Sequence, residues 1–171
     1  MTTKFIDFKE SMTQELTKFI QSQARALSHA DLDRLIIDLP ALRERFAKIP
    51  SQTYAYLSDK LEFLCLFVEG QVVRRNPDLA ESPVAEAAFA LLYFQRPTDL
   101  IPDSIPDMGL LDDTMIVSMV LRRQELAFKE SSYAYLVRWP KPQFDVDQLL
   151  SVISPLRVTS FCSSLANLSP A

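Results

Sequence analysis

The sequence is poor in glycine, histidine and cysteine, and each shortage excludes a kind of site. Its 171 residues include only two glycines, Gly70 and Gly109, and neither common glycine-rich phosphate loop can be written with them. The single histidine, His29, and the two cysteines, Cys65 and Cys162, exclude the usual zinc clusters and most histidine-based catalysis. Site chemistry is therefore left to carboxylates, lysine, arginine, hydroxyls and tyrosine.

The sequence also lacks a membrane span, a secretory signal and a basic patch. Its longest run without a charge, residues 158–171, is shorter than the roughly 20 apolar residues of a spanning helix. Lys4 and Asp7 interrupt the apolar core that a signal peptide would need. The 18 basic residues are not clustered and the net charge is -4, which predicts no nucleic-acid partner. We expect a cytoplasmic protein with an unidentified protein partner and, as an alternative, peripheral contact with a membrane.

Helical spacing of apolar residues predicts an all-α fold over the first half of the chain. Apolar side chains recur at helical intervals over residues 4–27. Ser28 and Asp31 are spaced as a capping box that opens a second helix, which Pro40 is expected to end or kink. Ser51 is expected to open a third helix.

The middle of the chain predicts a buried helix followed by another. Ser82 and Pro83 are typical of a helix start, and the helix they open carries Glu86 as its only charge. A helix without a polar face is usually central. Pro97 ends it, and a further helix is predicted over about residues 110–128.

We therefore expect one helical domain, residues 1–171, built as a bundle of about six or seven helices. Within it, residues 84–128 contain two consecutive helices, and residues 1–80 form an N-terminal helical part of unknown family. Residues 129–145 have a mixed pattern that fits either a short strand or a helix end.

The segment PTDLIPDSIPDMGLLDD, residues 97–113, departs most from an ordinary pattern, because it holds five of the 22 acidic residues and no lysine or arginine. Its prolines stiffen the backbone, and Gly109 is expected to supply a positive φ or a close backbone approach. The prolines are Pro97, Pro102 and Pro106.

Three interpretations of the aspartates in this segment stay open. In the first, they are caps and turn-formers on a solvated loop. In the second, a hard cation such as Mg²⁺ or Ca²⁺ relieves their repulsion, and its ligands would be Asp99, Asp103, Asp112 and Asp113. In the third, an arginine pairs with one of them, and the candidates are Arg96, Arg122 and Arg123. The spacing does not match an EF-hand.

Glu86 needs a partner if its helix is buried, because a buried charge is normally paired. We expect an arginine to pair with it. The alternative is an acid of perturbed pKa beside the aspartate segment. Three or more carboxylates converging near Glu86 or Tyr93 would favour a metal-dependent hydrolase.

The run ALLYFQRPTDLIPDSIPDMGLLDD, residues 90–113, resembles the YkvA-like family, the domain of unknown function twelve thirty-two, and the likeness extends over about residues 84–123. The signature residues are Pro97, Asp99, Leu100, Ile101, Pro102, Asp103, Ile105, Pro106, Gly109, Asp112 and Asp113. Thr98 and Asp107 depart from the family pattern and make the loop more polar.

The resemblance implies a helical hairpin joined by an acidic loop, sometimes associated with membranes, and it implies no activity, so no catalytic residue is assigned. Our leading interpretation is a non-enzymatic interaction module with a rigid acidic loop. The alternative is a divalent-metal-binding protein or a metal-dependent hydrolase that uses the loop aspartates.

Overall fold

The computed structural model is a bundle of helices, and it describes residues 2–50, 54, 56–72, 78–96 and 110–135. These residues contain helices and no strand, which confirms the all-α prediction. The helices are α1 Thr2–Arg25, α2 His29–Phe46, α3 Leu57–Val72, α4 Pro83–Gln95, α5 Leu111–Arg123 and α6 Glu125–Tyr135, with a short 3₁₀ turn at Leu79–Glu81 before α4.

The start of α2 is the capping box that the sequence predicts. The Ser28 hydroxyl accepts a hydrogen bond from the backbone N–H of Asp31 at 3.3 Å, and the Asp31 carboxylate accepts one from the backbone N–H of Ser28 at 2.8 Å. This exchange satisfies two N–H groups that the first helical turn otherwise leaves without acceptors.

Of the two expectations at Pro40, that it ends or that it kinks α2, the first is wrong, because the helix continues to Phe46. Proline removes one helical hydrogen bond, but the apolar face continues on both sides of it. The buried residues of that face are Leu32, Leu35, Leu39, Leu42 and Phe46. Burial of this continuous face favours the longer helix.

The third helix begins at Leu57, six residues after the predicted cap at Ser51, which lies outside the described residues. Tyr56 has a φ of 70°, the left-handed region. A residue with this φ cannot belong to a right-handed helix, so α3 can begin only after it.

The helix predicted over residues 110–128 is two helices, α5 and α6, which meet at Gln124. Gln124 has φ −103° and ψ 20°, and its N–H still bonds to the carbonyl of Val120. The helix therefore breaks at a position without glycine or proline, the residues that usually mark a helix break in a sequence. Residues up to Tyr135 are helical, and the remainder of the unassigned C-terminal segment lies outside the described residues.

The hairpin formed by α4 and α5 lies at the centre of the bundle. Helix α4 packs against α1, α2, α3 and α5, and its residues 84–91, 93 and 94 are buried, as predicted for a helix without a polar face. Helix α5 is buried over residues 111–121. No helix in the described part of the chain combines the length and apolar character that a membrane crossing requires.

The first boundary of the hairpin also matches its prediction. The Ser82 hydroxyl accepts the backbone N–H of Ala85 at 3.3 Å, and Pro83 stands at the first helical position. At the other end of α4, Arg96 is extended with φ −70° and ψ 142°, the conformation favoured before a proline.

Candidate functional site

The described residues contain part of the predicted site. Asp112, Asp113 and Glu86 are placed by the structure. The remaining predicted residues, Pro97, Asp99, Pro102, Asp103, Pro106 and Gly109, lie outside the described residues. The conformation expected of Gly109, the loop's stiffness and the convergence of four aspartates therefore stay predictions.

Asp112 and Asp113 lie in the first turn of α5, as predicted, but in the core of the bundle. Their exposed fractions are 0% and 3%, so the interpretation of all five aspartates as parts of a solvated loop is wrong for these two. The reason is that α5 is buried from its first residue. Carboxylates in a first turn are stabilised by the positive end of the helix dipole.

A buried hydrogen bond joins Asp112 to the last part of α4. The Tyr93 hydroxyl donates to Asp112 Oδ2 at 2.8 Å, and the backbone N–H of Asp113 donates to Asp112 Oδ1 at 3.1 Å. The Tyr93 ring is 2% exposed, and Phe19 and Phe89 meet it edge to face. This contact fixes the end of the hairpin where the acidic loop enters and leaves.

An ion pair holds the opposite end of the hairpin and confirms the expected pairing of Glu86 with an arginine. Arg123 Nε lies 3.1 Å from Glu86 Oε2, and Arg123 Nη2 lies 3.0 Å from Glu86 Oε1. Two parallel hydrogen bonds between an arginine and a carboxylate fix the relative orientation of the two side chains and also strengthen their interaction. Arg123 was one of three arginines expected as the partner of an aspartate, whereas in the structure its partner is Glu86.

Metal ligands do not cluster in the described part of the chain. No group of three or more histidine, cysteine, aspartate or glutamate side chains there could hold one ion. Asp99 and Asp103 lie outside it, so the four-aspartate set remains a prediction. His29 is exposed at the start of α2.

A buried polar pair between α3 and α5 was not predicted from the sequence. Lys60 is 4% exposed and Ser118 is 6% exposed, and the Lys60 ammonium donates to Ser118 Oγ at 3.1 Å. Burial lowers the pKa of Lys60. A sequence signal did exist, because Lys60 lies between Leu57 and Leu64 on the apolar face of α3, where a lysine is unusual.

Helices α2 and α3 are joined by a second ionic contact, in which Arg43 binds two glutamates. Its Nε lies 2.9 Å and 3.0 Å from the two Glu62 carboxylate oxygens, and its Nη1 and Nη2 each lie 2.9 Å from Glu69. The hydrogen bonds to Glu69 are the main cause that raises the pKa of Arg43. The contact orients α3 and engages all three nitrogens of the Arg43 guanidinium.

Cys65 is a buried thiol on α3. It is 0% exposed, and burial raises its pKa to about 12. Since the thiolate is the reactive form, Cys65 is not a nucleophile in the folded chain.

The comparisons with known proteins concern the hairpin. No curated protein and no solved structure matches this chain. A family model matches residues 84–119, a segment that begins at the second residue of α4 and ends within α5. The match agrees with the resemblance found in the sequence. This segment of the chain carries the sequence pattern of the family described as "Protein of unknown function (DUF1232)".

Proposed function

We propose that this chain is a non-enzymatic helical interaction module of the cytoplasm, in which a protein partner recognises the acidic segment between α4 and α5. The observation that carries the proposal is the buried contact between Asp112 and Tyr93, 2.8 Å long. A carboxylate that a tyrosine holds inside the core serves the framework, because a substrate cannot reach it without opening the bundle. Asp112 then supports the loop and does not perform chemistry.

The fixed ends of the hairpin favour recognition of the segment that joins them. Tyr93 and Asp112 hold the loop end, while Glu86 and Arg123 hold the other end. The segment over residues 97–109 contains three aspartates and no basic residue. An acidic segment attracts a partner with a basic surface, and fixing the two ends of such a segment reduces the entropy lost on binding.

Comparative capture with charge-matched variants tests this proposal. In the full chain, Asp99, Asp103 and Asp107 are changed to Asn. The control changes three exposed acids on helices, Asp33→Asn, Glu44→Gln and Asp59→Asn, so both variants lose the same charge. Proteins that cross-link to the wild type and to the control, but not to the loop variant, are then purified for direct binding.

We expect such a partner to bind the loop variant at least about tenfold more weakly and to lose affinity as salt rises, because separated surface charges are screened. The proposal would be contradicted if both variants lost binding equally, or if the same proteins bound the wild type and the loop variant.

A divalent-cation site is the second candidate, and the observation that favours it is the pair of buried, adjacent carboxylates of Asp112 and Asp113. Hard cations take oxygen ligands of this kind. Asp99 and Asp103 would have to supply the others, and a metal-dependent hydrolase would need that complete set. Calorimetry separates this candidate from the interaction module.

A further inference from the structure

In the described part of the chain, the buried amino group of Lys60 has one side-chain hydrogen-bond partner, the hydroxyl of Ser118. Lys60 lies near the start of α3 and is 4% exposed, and its Nζ is 3.1 Å from Ser118 Oγ on α5. A protonated lysine has three N–H donors and no acceptor. Within the described part of the chain, Ser118 is the side-chain acceptor that it contacts, so a proton on Lys60 is poorly compensated.

The charged groups on the helices packed against α3, which are α2, α4, α5 and α6, do not compensate Lys60. In the described residues they bind elsewhere, are exposed, or lie away from Ser118. Arg43 of α2 binds Glu62 and Glu69, Glu86 of α4 binds Arg123, Asp112 accepts from Tyr93, Asp38 accepts from Gln95, and Glu125 of α6 binds Lys129. Asp59, Arg122 and Glu130 are exposed. Asp113 precedes Ser118 by five positions, more than one helical turn.

The free energy of protonating Lys60 therefore depends on whether α3 is packed against α5. Burial lowers the pKa of Lys60, and no charged group of the described residues offsets it. If α3 moves away from α5, water reaches the ammonium and the pKa returns toward its usual value of about 10.4. Protonation thus favours the separated arrangement.

We propose that Lys60 and Ser118 form a pH-sensitive contact that sets how tightly α3 packs against α5. The packing tightens when Lys60 loses its proton and loosens when Lys60 gains one. This device is independent of the function proposed for the acidic segment.

The sign of the effect follows from linkage. Above about pH 10.4 both arrangements are neutral and the packed one is not penalised. As pH falls toward the lowered pKa, the separated arrangement gains about tenfold in relative population for each unit by which packing lowers the pKa. Below the lowered pKa the effect is constant.

Cys65 supplies a probe of this motion, because it lies on α3 and is fully buried. In a Cys162→Ser background, the rate of iodoacetamide labelling of Cys65 is measured from pH 7 to pH 10.5 for the chain that keeps Lys60 and for the Lys60→Met variant. The ratio of the two rates at each pH cancels the titration of the thiol itself. Lys48→Met, at an exposed lysine, is the matched control.

We expect Cys65 to be labelled faster in the chain that keeps Lys60 than in the Lys60→Met variant at pH 7, and the ratio to fall as pH approaches 10.5. The control ratio should stay near one throughout. A ratio for Lys60→Met that does not change with pH would overturn the proposal. The proposal would also be overturned if the labelling rate of Cys65 rose with low concentrations of urea as steeply as global unfolding does. The motion that exposes Cys65 would then not be confined to α3.

The role of Ser118 is tested by ¹³C NMR of the lysine Cε atoms. Lys60 should titrate below the other lysines, and Ser118→Ala should lower its pKa further, because the ammonium loses its acceptor. Titration of Lys60 at or above the usual lysine range, or a pKa that Ser118→Ala leaves unchanged, would overturn the assignment even if Lys60→Met failed to fold.

Discussion

Changing Tyr93 to Phe tests whether Asp112 is part of the framework. The substitution removes only the hydroxyl that donates to Asp112 Oδ2 at 2.8 Å, while the ring keeps its edge-to-face contacts with Phe19 and Phe89. The carboxylate is 0% exposed, so water cannot replace the lost donor without opening the core.

The expected loss follows from the character of this hydrogen bond. Removing the donor of a buried hydrogen bond lowers the free energy of unfolding by about 1–3 kcal/mol. For a chain of this size, each kcal/mol corresponds to about 2–4 °C in the melting temperature. We therefore expect Tyr93→Phe to melt about 2–12 °C below the wild type.

Urea unfolding, followed by circular dichroism, measures the change directly. Tyr56→Phe is the control, since Tyr56 is half-buried before α3, and we expect it to stay within about 0.5 kcal/mol of the wild type. A double-mutant cycle with Asp112→Asn should give a coupling of about 0.5–3 kcal/mol between the two side chains. A Tyr93→Phe variant as stable as its control, with no coupling to Asp112, would refute the framework role.

Three other substitutions check separate parts of the fold by the same unfolding measurement. Pro40 is exposed within α2, so Pro40→Ala should restore a helical hydrogen bond and add about 1–3 kcal/mol; a loss of stability would contradict this. Glu86→Gln leaves Arg123 without its carboxylate and should lower the free energy of unfolding by about 1–3 kcal/mol. The double variant Glu86→Met with Arg123→Met should lose less stability than Arg123→Met alone. Burial raises the pKa of Cys65 to about 12, so the unfolded chain loses this proton before the folded chain does, and the contribution of Cys65 to stability should fall as pH rises from about 9 to about 12. Cys65→Ala should remove that fall, and an unchanged pH dependence would count against the burial of the thiol.

Local signals in the sequence predicted the helix starts. The Ser28 and Asp31 capping box and the pair Ser82 and Pro83 act through hydrogen bonds and backbone angles within four residues. The burial of α4 was also predictable, because its sequence has no polar face. These features depend on neighbours along the chain and not on the rest of the fold.

Features that depend on long-range packing were not predictable in the same way. The sequence left open whether Pro40 ends or kinks α2, and the continuation past it follows from an apolar face that the core buries on both sides of the proline. The turn at Gln124 could not be predicted from glycine or proline, because neither residue is present there. An arginine partner for the buried Glu86 was predicted, but its identity, Arg123, depends on the fold, because the two residues are 37 positions apart in the sequence.

The candidate site shows the same division. The first-turn position of Asp112 and Asp113 was predicted, whereas their burial comes from the placement of α5 in the core. Lys60 was missed because a single lysine in an apolar stripe is usually explained by a side chain that reaches the solvent. Its contact with Ser118, 58 positions away, depends on how α3 and α5 meet.

Calorimetric titration of Mg²⁺, Mn²⁺ and Ca²⁺ into the chelator-treated full chain tests most directly whether the aspartates serve the framework or a metal. The variants are Asp112→Asn with Asp113→Asn and, separately, Asp99→Asn with Asp103→Asn, which keeps the two buried carboxylates. The proposed interaction module predicts no saturable heat and no thermal shift at millimolar metal for the wild type. Saturable binding to the wild type that both variants lose would contradict it and would make the four aspartates a cation site.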